Sequence, residues 1–146
     1  MQVRGYEFPD DLHYLAAYDM WARFEDDGLV RVGATALGAA LAGEIVAFLP
    51  KPVGENVEQG RALGAIELFK TIISAKAPVS GVLVEVNDAV GRTPALLNRD
   101  PYGGGWLARI RPANWAADSA MLAHGTAVAE AMERVWQGYR EDGYDV

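Results

Sequence analysis

The chain has 146 residues, 51% of them hydrophobic, a mean hydropathy of +0.01 and a formal charge of −7, values that suit one soluble globular domain. No apolar run approaches a membrane span, no hydrophobic signal segment follows Met1-Gln2-Val3-Arg4-Gly5, and no Lys/Arg cluster offsets an acidic balance that repels phosphate. Nucleic acid and membrane are therefore not expected as partners, the cytoplasm is the default location, and the absence of cysteine excludes disulfides, thiolate nucleophiles and Cys-based metal sites.

In chain order, Trp21-Ala-Arg-Phe24 and Leu29-Val-Arg-Val32 flank the turn-rich Glu25-Asp-Asp-Gly28 and predict a β-hairpin. Thr35 is placed to N-cap a short helix over Ala36–Leu41, and Gly43 to stop it. Glu44–Leu49 follows as a strand, halted by Pro50 and Pro52, and Val53–Gly60 is expected to be a tight turn between strands. Val82–Val86 and Trp106–Arg111 predict two more strands, the second entered through Asp100-Pro-Tyr-Gly-Gly-Gly105. Many short strands broken by Gly and Pro predict a small barrel or sandwich.

The period then changes. Val128, Met132, Val135, Trp136 and Tyr139 share one helical face behind a Thr126 cap, with Gly138 and the acidic end expected to fray. That aromatic stripe reads as core packing. His13 and His124 lie far apart in sequence and form no H-x-x-x-H pair, so both read as surface or capping residues and no metal site is expected. A faint echo links Gly28–Gly38 with Gly81–Gly91, two glycine-to-glycine segments of equal length.

Against ten arginines there are only three lysines, Lys51, Lys70 and Lys76. Lys70 stands inside Glu67-Leu-Phe-Lys-Thr-Ile-Ile-Ser-Ala-Lys-Ala-Pro-Val-Ser-Gly81, among apolar and β-branched residues whose flanks read as strand. Such a lysine is either an edge device against aggregation or an amine with a task. Leu68-Phe-Lys-Thr-Ile72 contains no Gly, Asn or Asp to announce a hairpin tip, so residue chemistry does not place Lys70 at a turn.

The wider pattern does bear on it. Val53-Gly54-x-x-Val57-x-x-Gly60, Glu67-x-x-Lys70 and Ala77-Pro-Val-Ser-Gly81, followed by strand Val82–Val86, resemble the biotinyl/lipoyl attachment domain. Val84-Glu-Val-Asn87, Pro94-Ala-Leu-Leu-Asn98 and Asp100-Pro-Tyr-Gly-Gly-Gly-Trp106 are similar to the H-protein family of the glycine cleavage system, over about residues 8–135. The resemblance implies a mainly β fold: a flattened β-barrel, or barrel-sandwich hybrid of the lipoyl-domain type, with short helices and a C-terminal amphipathic helix. It implies one domain over 1–146, with a lipoyl core at about 20–112 and a helical extension at about 113–140.

The same resemblance implies a non-catalytic carrier with lipoic acid in amide linkage on Lys70 at an exposed hairpin tip, and with Glu67 and Gly81 recognised by the attaching enzyme. Biotin fits less well, because Phe69 and Thr71 stand where a biotin-carrying lysine has methionines. A lysyl stem plus an octanoyl chain spans roughly a dozen bonds of about 1.5 Å, a swing on the order of 10 Å or more, so one rigid body can serve several enzymes in turn. The implied partners are a lipoate ligase or lipoyltransferase and the enzymes served by the arm, with the carrier itself a monomer.

Several positions depart from the H-protein pattern. Asp19-Met20-Trp21 replaces His-Glu-Trp, Leu68-Phe69 replaces a small or β-branched pair, Thr71-Ile72-Ile73 is more apolar than usual, and Gly104 stands where an acidic residue is common. Pro9-Asp-Asp-Leu-His-Tyr14 and Arg111-Pro-Ala-Asn-Trp115 look more like lipoate-binding relatives found beside heterodisulfide-reductase-like enzymes. That likeness implies shuttling of a sulfur-bound intermediate in bacterial sulfur oxidation. The alternatives are an H protein carrying the aminomethyl group between glycine cleavage enzymes and, in another class, an unlipoylated protein-binding module.

Overall fold

The computed structural model describes residues 1–146. Its strands are β1 (Gln2–Val3), β2 (Tyr6–Glu7), β3 (His13–Leu15), β4 (Met20–Phe24), β5 (Val30–Ala34), β6 (Ile45–Pro50), β7 (Asn56–Val57), β8 (Ala62–Leu68), β9 (Ile72–Lys76), β10 (Gly81–Val86) and β11 (Ala108–Pro112). The helices are α1 (Ala36–Ala42), α2 (Asp88–Arg92), α3 (Leu96–Arg99), α4 (Trp115–Ser119) and α5 (Ala127–Glu141), with a 3-10 turn at Ala16–Tyr18. A six-stranded antiparallel sheet, β3-β4-β5-β11-β10-β7, and a three-stranded sheet, β6-β8-β9, close over one apolar core, the mainly β barrel-sandwich arrangement expected from sequence.

Leu63, Leu83 and Ile110 are fully buried in that core, each worth about 1.5–3 kcal/mol of apolar burial. A second core lies behind the larger sheet, where Trp21, Tyr14 and Leu37 meet Val128 and Met132 of α5. Met20-Trp21-Ala22 is apolar without alternation because β4 is covered on both faces, Met20 and Ala22 entering the first core and Trp21 the second. Trp21 pairs with Gly33 across the β4/β5 ladder, where a Cβ on Gly33 would stand 2.7 Å from the indole. The indole N–H donates to the Pro101 carbonyl at 3.0 Å, fastening the glycine-rich loop to the sheet.

The hairpin at Glu25–Gly28, the Thr35 cap (Gly38 N–H to Thr35 Oγ1, 3.1 Å) and the left-handed stop at Gly43 (φ 70°) match expectation. The echoed segments prove to be equivalent units. Each is a strand, β5 or β10, leading into a helix capped by a side chain, Thr35 or Asn87, and both strands pair with the two edges of β11.

Several expectations need correction. Val53–Gly60 is more than a turn, since it holds β7, which pairs with Gly81 and Val82. The last strand begins at Ala108, because Trp106 and Leu107 belong to the loop held by Asn87, whose Nδ2 donates to the Gly104 and Trp106 carbonyls. Thr126 is itself helical in φ and ψ and makes no side-chain cap. Gly138 does not fray α5: Tyr144 N–H donates to the Tyr139 carbonyl and Trp136 Nε1 to the Val146 carbonyl, tying the chain's end back onto the helix.

Candidate functional site

Strands β8 and β9 form a hairpin in which Glu67 faces Ile72, leaving Leu68-Phe-Lys-Thr71 as the turn. Leu68 N–H donates to the Thr71 carbonyl at 2.8 Å, the reverse bond is not made, and neither Phe69 nor Lys70 takes a positive φ. Lys70 thus occupies the tip of a two-residue turn built without the glycine or asparagine that primed hairpin turns use. Its side chain is exposed, free of hydrogen bonds and ion pairs, with Nζ 5.9 Å from the centre of the Phe69 ring. Phe69 itself is 80% exposed.

The hairpin has two unlike faces. On the inner one, a cavity of about 410 Å³ opens beside the tip, lined among others by Leu68, Thr71, Ile73, Tyr18 and Tyr139. Asp19 stands in its wall. The residue is left-handed (φ 58°) and packs against Gly38, where a Cβ would lie 2.5 Å from that of Asp19. Tyr139 of α5 donates its hydroxyl hydrogen bond to one carboxylate oxygen, and the other, Oδ1, is buried without a partner. Burial pushes the Asp19 carboxyl up to about 6, against the lowering effect of the Tyr139 bond, and burial likewise raises the Tyr139 phenol.

On the outer face, Glu67 is half-buried and makes no hydrogen bond or ion pair. Gly81 lies elsewhere, buried at the start of β10, where a Cβ would fall 2.0 Å from the Arg111 carbonyl oxygen. That gives Gly81 a packing reason of its own, independent of any enzyme. Gly104 is open by comparison: a Cβ there would stand 3.6 Å from its nearest neighbour, the Asp100 Oδ2.

His13 and His124, distant in sequence, stack with ring centroids 3.8 Å apart and planes at 6°. His124 Nδ1 bonds the Leu12 carbonyl, and His13 is lowered by burial first and by His124 second. No third His, Cys, Asp or Glu joins them in a metal-sized cluster. The sequence flagged Asp19 only as a departure and Tyr139 only as core. Their pairing across 120 positions left no local signal.

A lysine at a hairpin tip, set on a two-sheet barrel and backed by a C-terminal helix, is the geometry the family resemblance implies. The family model described as "Glycine cleavage H-protein" matches residues 12–135. The chain belongs to the glycine cleavage H-protein family. It is 37% identical over 140 residues to glycine cleavage system H protein 5 of Aquifex aeolicus, covering 93% of this chain and 94% of that one. It is 36% identical over 121 residues to the H protein of Neisseria gonorrhoeae, covering 83% and 90%. The crystal structure of a glycine cleavage system H protein from Mycobacterium marinum superposes with a TM-score of 0.71 at 31% identity, covering 94% of this chain and all of that one.

Members of this family carry lipoic acid covalently on a lysine. The residues present fit such a group: the Lys70 amine is open to solvent at a tip, and a mostly apolar cavity begins one residue away at Thr71. No helix is long and apolar enough to cross a membrane.

Proposed function

We propose that the chain is a lipoyl carrier acylated at Lys70, serving as an H protein among the enzymes of the glycine cleavage system. The observation that carries this reading is the unpaired, exposed amine at the β8/β9 tip of an H-protein fold. When bound, lipoic acid supplies a dithiolane whose disulfide opens to two thiols able to hold a carried group. The chain's own part is to hold the attachment point in solvent on a short hairpin and to offer an apolar recess within a tether's reach. With no cysteine, it holds no thiol to divert exchange at the arm. We take the protein to act as a single domain and a monomer in the cytoplasm, with a lipoate ligase or lipoyltransferase as its loading partner and no catalytic role.

A second reading, carriage of a sulfur-bound intermediate among heterodisulfide-reductase-like enzymes, is favoured by one feature. Met20, where the family pattern has a glutamate, is buried in the core, so Asp19 is the one carboxylate in the cavity wall, and one of its oxygens is already taken by Tyr139. The names of the matched relatives favour glycine cleavage, which takes first place over the sulfur reading expected from sequence.

Co-expression with a lipoate ligase and lipoate, followed by intact mass, tests the carrier. One lipoyl group per chain is expected. An unmodified chain with every ligase tried leaves the protein-binding module instead. Glycine–bicarbonate exchange with the decarboxylase partner then separates the two carrier readings, robust exchange supporting glycine cleavage and none supporting sulfur transfer.

A further inference from the structure

The stacked histidines stand where the segment between α4 and α5 runs along the open edge of β3. Tyr14 and Ala123 exchange backbone hydrogen bonds of 2.8 Å there, and His124 Nδ1–H donates to the Leu12 carbonyl at 2.8 Å. Trp115 of α4 meets His13 edge-on at 4.9 Å, so the indole and His124 between them keep water off a half-buried imidazole. The segment leads directly into α5, whose Val128 and Met132 complete the second core with Leu12 and Tyr14. Rings stacked face to face do not aim their lone pairs at one ion, and His124 Nδ1 is spent on a carbonyl, so the pair is not half of a metal site.

What the stack tolerates is one charge. The Leu12 carbonyl only accepts, which fixes neutral His124 as its Nδ1–H form and leaves Nε2 to take a proton. The bond to Leu12 then survives and becomes charge-assisted. A second proton, on His13, sets two cations 3.8 Å apart with nothing beside them to neutralise the pair. The charged groups of the neighbouring segments are engaged elsewhere: Asp10 with the Met1 amine, Asp11 with Arg23, Glu25 with Arg31 and Arg109, Asp118 with the Ser80 N–H, and Glu130 of α5 with Arg134. Tyr14, next to His13, is kept neutral by burial.

We infer that the His13–His124 stack is an acid-released clasp on the segment between α4 and α5, closed while at most one of the two imidazoles is charged and open when both are. Opening frees the start of α5, the helix that carries Tyr139 into the recess wall, so acid acts on the recess through α5 rather than at Lys70. Burial first and His124 second hold His13 below the ordinary imidazole value of 6.5, so the clasp's contribution to stability is complete above that value and is lost as pH falls through the folded one. Asp19, raised to about 6, works in the opposite direction, so global unfolding does not isolate the clasp and a local readout does.

Amide hydrogen exchange at pH 7.5 and pH 5, corrected for intrinsic rates, tests this. Protection of the Tyr14 and Ala123 amides, the two that cross the clasp, is expected to fall roughly tenfold or more relative to the amides of Leu83 and Ile110 in the first core. His124→Asn keeps an N–H donor for the Leu12 carbonyl, and His13→Phe keeps a ring in the stack. Each leaves at most one charge in the pair, and each is expected to hold the fall within about twofold. Urea unfolding at both pH values shows which variants are folded, and one folded variant suffices. Constant protection in the parent, or a fall that persists in a folded variant, overturns the clasp. Neither result touches the carrier reading, because Lys70 takes no part in it.

Discussion

The β8/β9 tip and the Trp21 neighbourhood obey opposite rules. Around Trp21, every approach is filled: the indole is fully buried, Gly33 leaves it no spare ångström, and its N–H is bonded to Pro101. At the tip, one backbone hydrogen bond closes the turn, Phe69 stands in water and Lys70 touches nothing but that ring at a distance. The contrast shows where stability is made and where it is forgone. Apolar side chains left in solvent on a well-packed molecule signal contact with something else.

The sharpest way to break the contrast is Lys70→Arg. Loading should fall to nothing, because a guanidinium is not an acylatable amine, while the melting temperature stays within about 1 °C. Residual lipoyl in the intact mass would point to Lys51 or Lys76 instead. In the packed region the effects reverse. Gly33→Ala sets a Cβ against the indole and should cost about 2 kcal/mol, a melting drop of roughly 6 °C, with loading intact.

Asp19 lies between the two regimes, and its effect is smaller and dependent on pH. Its folded pKa of about 6 exceeds the ordinary 3.8, so between those values the folded chain binds a proton that the unfolded chain does not. Stability from this group therefore rises as pH falls from 7 to 4. Asp19→Asn, which tolerates the left-handed backbone, should stabilise by about 1–2 kcal/mol at pH 7.5, after discounting for partial solvent exposure, and by almost nothing near pH 4. Urea unfolding across that range checks it, and a pH-independent difference would rule the titration out. Smallest of all, Glu67→Ala should leave the melting point unchanged while slowing loading severalfold, and a large melting drop would make Glu67 structural.

Much of the packed half was legible in the sequence because its signals are local. The Glu25–Gly28 turn, the Thr35 cap and the apolar face of α5 announce themselves within a few residues. The tip was legible only through the family pattern, since Phe69-Lys70 turns without any residue that favours turning. Asp19 with Tyr139 and His13 with His124 are contacts between distant segments, which periodicity does not encode. Thr126 misled because it takes helical φ and ψ directly behind the left-handed Gly125, and its side chain makes no cap bond there.

A hairpin with a recess on one side and a bare sheet on the other separates holding from handling. The recess on one side is apolar and the tip is open, so rotation about side-chain bonds alone takes a group tethered there from shelter to solvent, with no rearrangement of the strands beneath it.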